Sequence, residues 1–450
     1  AAVAKSWSSN PEATVFTFHL KHGTKFHNGR EVTAGDFKYA WERVAAKDSG
    51  SDVAYHLAPI KGFEEMQTGK AKHLSGLKVK GKYTLIVTLN YPFADFPYIL
   101  GHPVFSPVPK EDVEKNPKAF AKFPIGNGPF MMAAPWKHRR YIKVKRFNKY
   151  YGTKPLLDSV EFRIFADKDI GFMEFKSGSL DYAPIPLGQV KATDEEYGNN
   201  AVIGQPLLSL DFLGYNSRSR PLNNKNLRRA ISYGIDRKAI SDAIFEDVRL
   251  PASGIIPPPI GGAIPPAKSF ETRFTKAKEL LKKAGYPGGK GLKKLKLTYI
   301  SGSDYGPLAE AIQGNLSKLN IQVDIQPMEA GAFFKALHTG DTSLFIVNWA
   351  ADYPTMDSFI YPLFYSKSED NVVGYRNKAV DRLIIKARKT LDAKTRHKLY
   401  KQAESDILAD TPIAPLFYDG TAALHGRDVR GFIRTSLDYT PLEQVWLKKK

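Results

Sequence analysis

Along "PLAEAIQGNLSKLN" (307–320), Leu308, Ile312, Leu316 and Leu319 recur at intervals of four and three, so one face of a helix is apolar. The segments on either side, "LKLTYI" (295–300) and "IQVDIQPM" (321–328), instead alternate apolar and polar positions as a strand does. Together they predict a β-α-β unit with parallel strands. Upstream, "ETRFTKAKELLKKAGYP" places Phe274, Ala277, Leu281 and Ala284 on one helical face, with Gly285 and Pro287 as the stop. Downstream, a short helix, "AFFKALHTG" (332–340), leads into the strand "SLFIVNWA" (343–350). Two amphipathic helices, near 376–391 and 393–409, and the apolar strand "PIAPLFY" (412–418) complete an α/β unit.

Nearer the front, "VFTFHLKHGTKFHNGREVTAGDFKYAWERV" (15–44) reads as a strand, a turn at Asn28-Gly29, and a helix that Thr33 caps with Asp36 three residues on. "YTLIVTLNYPF" (83–93) is a further strand, and "IGNGPF" (125–130) is a glycine-rich crossing between segments. "PASGIIPPPIGGAIPP" (251–266) has six prolines in sixteen residues, which excludes a helix and predicts a long rigid surface loop. A chain of 450 residues is too long for one ordinary core, so two or three domains are expected.

Composition narrows the function. With 42% hydrophobic and 25% charged residues the chain is of ordinary globular make-up. No apolar run approaches the roughly 18 residues that span a bilayer, so a soluble chain is expected. Cysteine is absent, which excludes disulfides, thiolate metal sites and a cysteine nucleophile. The net charge of +20 suits nucleic acid, an anionic envelope surface or a solubilising coat. A coat is the better reading, because the lysines are scattered and "KHRR" (137–140) lies in no nucleic-acid module.

Catalytic signatures are missing. The ten histidines form no HExxH pair, and the two in "HLKH" (19–22) would point to opposite faces. "GYPGGKG" (285–291) lacks phosphate-loop spacing, no GxSxG elbow occurs, and "SGLK" (75–78) has no companion motif. No enzyme activity, cofactor or metal is therefore expected. The candidate chemistry centres on "NWAADYPTMDSFIYPLFYS" (348–366), where Asp352 stands just beyond the carboxyl end of a strand, the edge at which open α/β sheets bind ligands. Two readings are open for this acid. It is the cap or Asx turn of a following helix, or it anchors a cation between water-excluding aromatic walls supplied by Trp349, Tyr353, Phe359, Tyr361, Phe364 and Tyr365.

These stretches, together with "LGYNSRSRPLNNKNLRRAISYGIDRKAI", "AKELLKKAGYPGGKG", "GYRNKAVDRLI" and "TPIAPLFY", resemble in order the blocks of the peptide and oligopeptide solute-binding proteins of ABC importers, extracytoplasmic family 5. The resemblance implies an α/β, periplasmic-binding-protein-like fold of two lobes with a hinge plus an additional domain. The additional domain would take 1–125, the first lobe 126–207 with 425–450, and the second lobe 208–424. Because the chain begins at the "AKSW" block, the front of the first lobe is expected to be missing. The implied function is capture of peptides outside the cytoplasm, in the periplasm or at the outer face of the cell membrane, and delivery to a transmembrane permease. The implied protein is a monomer that binds no nucleic acid and meets the membrane only through a lipid anchor outside this chain.

In peptide-binding relatives the aspartate of W-x-x-D-Y pairs with the peptide α-ammonium, which maps to Asp352 with Trp349 beside it. Tyr353, Asn348, Tyr55 and Asn127 complete the candidate ligand-binding set. Ile346 stands where some relatives carry a carboxylate-binding arginine. A nickel chelate or an oligosaccharide is the alternative solute on the same fold. A peptide hydrolase and a basic nucleic-acid binder are the rivals from other classes.

Overall fold

The computed structural model describes residues 3–51, 53–260 and 274–448. Its central element is a six-stranded mixed sheet in the order Leu250–Pro251, Ile413–Tyr418, Ser209–Tyr215, Leu344–Ala350, Leu295–Ile300 and Val323–Met328. The strands Leu295–Ile300 and Val323–Met328 run parallel, joined by helix Tyr305–Ser317, as their periodicities predict. All residues of Ser209–Tyr215 are buried, because helices cover both faces of the sheet. One face carries Leu213, Tyr215, Leu297 and Ile346 against helices that include Phe274–Lys283 and Tyr305–Ser317. The other carries Leu210, Phe212 and Phe345 against helices Asp357–Phe364, Lys378–Arg388 and Ala393–Asp410. Gly214 lies opposite Phe345, whose ring would stand 2.2 Å from any Cβ there, so glycine makes room for the phenyl group.

A four-stranded antiparallel sheet, in the order Ala4–Ser9, Val15–Leu20, Thr84–Thr88 and Leu77–Lys80, packs beneath helix Ala34–Ala45. That helix starts on the Thr33/Asp36 capping box read from the sequence. The turn at Asn28-Gly29 is also present, with Gly29 at φ 88°. Tyr353 reaches out of the "NWAADY" block into the core of this sheet and so ties the two bodies together. Buried charge reinforces the junction. Arg388 lies 3.2 Å from Asp357, its guanidinium sits over the rings of Tyr361 and Phe93, and its carbonyl accepts from Ala94 N–H.

Three smaller sheets complete the fold: Phe130–Met132 with Tyr141–Arg146 and Ser159–Arg163; Tyr182–Pro184 with Gly420–His425 and Ala201–Pro206; and the pair Val429–Arg430 and Trp446–Leu447. The chain passes from Ala201–Pro206 into Ser209–Tyr215, and from Ile413–Tyr418 into Gly420–His425, side by side at Leu207 N–H to Asp419 O, 2.8 Å.

One expectation is corrected. The proline-rich stretch is not a surface loop over its described part: Leu250–Pro251 pairs with Ile413–Tyr418, and Ala252, Ile255 and Ile256 are buried. Three backbone donors that follow are satisfied from the core, Ile255 and Ile256 N–H by Glu404 Oε1 at 2.7 and 3.0 Å, and Gly254 N–H by Tyr418 Oη at 2.9 Å. Residues 261–266 of that stretch lie outside the described residues.

Candidate ligand-binding site

Strand Leu344–Ala350 ends two residues before Asp352, and helix Asp357–Phe364 begins five residues after it. The loop between them is held from both sides. Trp349 Nε1–H donates to Ser358 O at 2.7 Å, and Asp352 N–H donates to Ser358 Oγ at 3.1 Å. The cap position of the helix is Met356, which makes no side-chain capping bond, so the Asp352 carboxylate is not the helix cap. That acid, 27% exposed, faces residues from the front of the chain instead.

The Tyr55 side chain faces Asp352, and His56 Nε2 lies 3.9 Å from Asp352 Oδ2. The His56 ring is layered between Tyr55, at 4.3 Å between centroids, and His102, at 4.2 Å. Burial, with the charge of Asp370 adding, pushes the Asp352 carboxyl up to about 6, against the opposing pull of the Tyr55 hydroxyl. Burial, with His102 adding, brings the His56 imidazole down to about 4. A partly desolvated carboxylate beside a second acid and two neutral imidazoles favours a cation in this position.

The structure thus brings Asp352 and Tyr55 together, with Trp349 bracing the loop. The other three residues go elsewhere. Tyr353 is buried and donates its hydroxyl to Asp357 at 2.9 Å. Asn348 points to the opposite sheet face, where its Nδ2 donates to Ser209 Oγ (2.7 Å), Asp211 Oδ1 (3.0 Å) and Asp419 Oδ2 (3.1 Å). These acids share Arg249, 3.2 Å from Asp211 and 3.0 Å from Asp419. Asn127 stands on a separate segment, between Gly126 and Gly128, whose backbone groups both bond to the His27 ring at 3.2 and 3.1 Å.

The expected aromatic walls are corrected too. Phe359 and Phe364 are wholly buried, and Tyr361 and Tyr365 stack on each other at 5.0 Å, so these rings belong to the core and the Arg388 cluster. The groups that do flank the carboxylate, His56 and His102, escape a reading of the sequence. Their only local signal is the pair Tyr55-His56 in "AYHL", and nothing in its spacing points to a site.

The family model for the bacterial extracellular solute-binding proteins, family 5, matches residues 1–371. The chain belongs to that family. It is 30% identical to the dipeptide-binding protein DppE of Bacillus subtilis (strain 168), over 100% of this chain and 83% of that protein. Among solved structures it resembles OppA of Burkholderia pseudomallei, with a TM-score of 0.84 at 26% identity, over 99% of this chain and 90% of that one. It also resembles the periplasmic binding protein DppA of Helicobacter pylori, solved with the peptide STSA, with a TM-score of 0.83 at 28% identity, over 100% of this chain and 89% of that one. The fold class is therefore the α/β, periplasmic-binding-protein type that the successive sequence blocks implied. No helix among the described residues is long and apolar enough to cross a membrane.

Proposed function

We propose that this family member captures peptides outside the cytoplasm and presents them to the permease of an ABC importer, with Asp352 holding the peptide α-ammonium. The observation that carries this reading is the Asp352 carboxylate itself, which is partly buried at a strand end, free of capping duty and turned toward Tyr55. The peptide STSA in complex with the Helicobacter pylori protein and the dipeptide in the name of the Bacillus subtilis relative support the solute class. Main-chain hydrogen bonds supply sequence-tolerant affinity, as when a strand is added to a sheet, and the amine clamp sets the register. Ile346, where some relatives carry arginine, is fully buried on the far side of the sheet and offers no grip on a C-terminus.

In this reading the paired crossings at 206–209 and 418–420 are the hinge, and closure is a rotation about them. The sequence blocks put one lobe at 208–424, the other at 126–207 with 425–450, and the additional domain at 1–125. Strand Gly420–His425, which pairs with Tyr182–Pro184 and Ala201–Pro206, belongs with the first lobe and moves that boundary back to the crossing. The protein acts as a monomeric carrier without catalysis.

Calorimetry with free and N-acetylated peptides tests the clamp. In Asp352→Asn the ammonium is left desolvated beside a neutral amide, and losing one partner of a buried pair costs roughly 3–5 kcal/mol. The expected loss is about two to three and a half decades in Kd. N-acetylation should cost the wild type a similar factor and the variant little more. Equal binding of both peptides by the wild type would overturn the role of Asp352.

A further inference from the structure

The geometry points to a binding site for a borderline divalent transition cation, of the zinc or nickel type, formed by His56, His102 and Asp352. One ligand atom from each of these three residues lies within 4.8 Å of the others, although they come from three separate parts of the chain. His56 is 2% exposed, yet its Nε2 has no hydrogen-bond partner among the described residues and stands 3.9 Å from Asp352 Oδ2. A buried imidazole nitrogen left without a partner is costly unless something occupies the space in front of it.

The donor set selects the ion. Two imidazoles and one carboxylate suit zinc, nickel and copper, whereas magnesium and calcium prefer oxygen ligands. Three protein ligands leave a fourth position open, as in exchangeable zinc sites. His102 Nδ1 accepts from Val104 N–H at 3.3 Å, a long bond that ring adjustment can exchange for a metal.

This site does not depend on the peptide reading, but it shares Asp352 with it. A cation there takes up the carboxylate an ammonium needs, so each ligand must weaken the other by the same factor.

Titration calorimetry of the whole protein with ZnCl2, without peptide and with MgCl2 as the control, tests the assignment. One equivalent of zinc should bind saturably, and magnesium should not. His102→Ala, at a partly exposed position, should weaken zinc by at least tenfold, because loss of even an outer-sphere partner costs about 10–100-fold. His56→Ala gives the second reading of the zinc loss. Absent saturation, equal binding of magnesium, or unchanged zinc affinity in His102→Ala would overturn the site. A wild type that binds zinc but treats both peptides alike would instead overturn the amine clamp and leave the metal site standing.

Discussion

The six-stranded sheet and the sheet Phe130–Met132, Tyr141–Arg146, Ser159–Arg163 use similar residues to different ends. In the first, Ser209–Tyr215 is buried throughout and its cross-strand neighbours Phe345 and Ile346 are wholly enclosed. In the second, none of the strand residues is buried, and Phe162 is 45% exposed. The electrostatics differ in the same way. Asp357 and Arg388 are paired out of solvent, with Tyr400 Oη donating to Asp357 Oδ1 at 2.5 Å, whereas Lys143 and Glu161 meet at 2.7 Å with both side chains about two-fifths exposed. The same chemical pairing therefore has different consequences in the two regions, because the dielectric around it and the helices over it differ. The candidate site takes its rigidity from the first region. Asp357 opens the helix after the Asp352 loop and, with Tyr353, anchors that loop between the six-stranded and the four-stranded sheets.

The sharpest break in this contrast is charge removal. Asp357→Ala leaves Arg388 buried without its partner and should cost roughly 3–5 kcal/mol in denaturant unfolding. Glu161→Ala should cost at most about 1 kcal/mol, since exposed pairs contribute little. Equal losses would show that the two environments are alike.

A smaller effect separates the regions by pH. Burial pushes Glu404, beside the six-stranded sheet, up to about 7, so the folded protein holds a proton that the unfolded chain has released. For an acid whose pKa is raised on folding, stability is greatest at low pH and falls as pH rises toward the folded value. Between pH 5 and pH 8 the wild type should lose stability on the order of 1–3 kcal/mol more than Glu404→Gln does. Parallel pH profiles for the two proteins would remove Glu404 as the source. The smallest effect is in the open sheet: Phe162→Ala should change unfolding stability by about 0.5 kcal/mol or less, as surface substitutions do. A loss of several kcal/mol would mean that Phe162 is covered in solution.

Much of the fold is legible from the chain. The alternation in 295–300 and 321–328 and the helical spacing between them are properties of local backbone geometry, so they mark the β-α-β unit directly. The Thr33/Asp36 box is legible for the same reason, since its partners lie three residues apart. The candidate site is legible only in part. Asp352 can be placed at a strand end, but the aromatics after it fill the core and do not wall the acid. A run of rings has no periodicity that says whether it lines a cleft or fills a core, and Arg388, which collects Tyr361 and Phe93, is distant in sequence. The interior course of the proline-rich stretch is hidden because its acceptor, Glu404, lies 149 residues beyond Ile255.

By itself, the sequence determined the β-α-β unit with the helices and strands around it, the capped helix near the front, the family, and the acid at the end of strand Leu344–Ala350. Only the tertiary structure decided that this acid faces Tyr55, His56 and His102, that Asn348 turns into the Arg249 cluster, and that the proline segment is interior. Periodicity records how each segment divides its own surface between water and protein. Which two surfaces then close on each other depends on burial and charge pairing between residues far apart in the chain, and no local pattern carries that information.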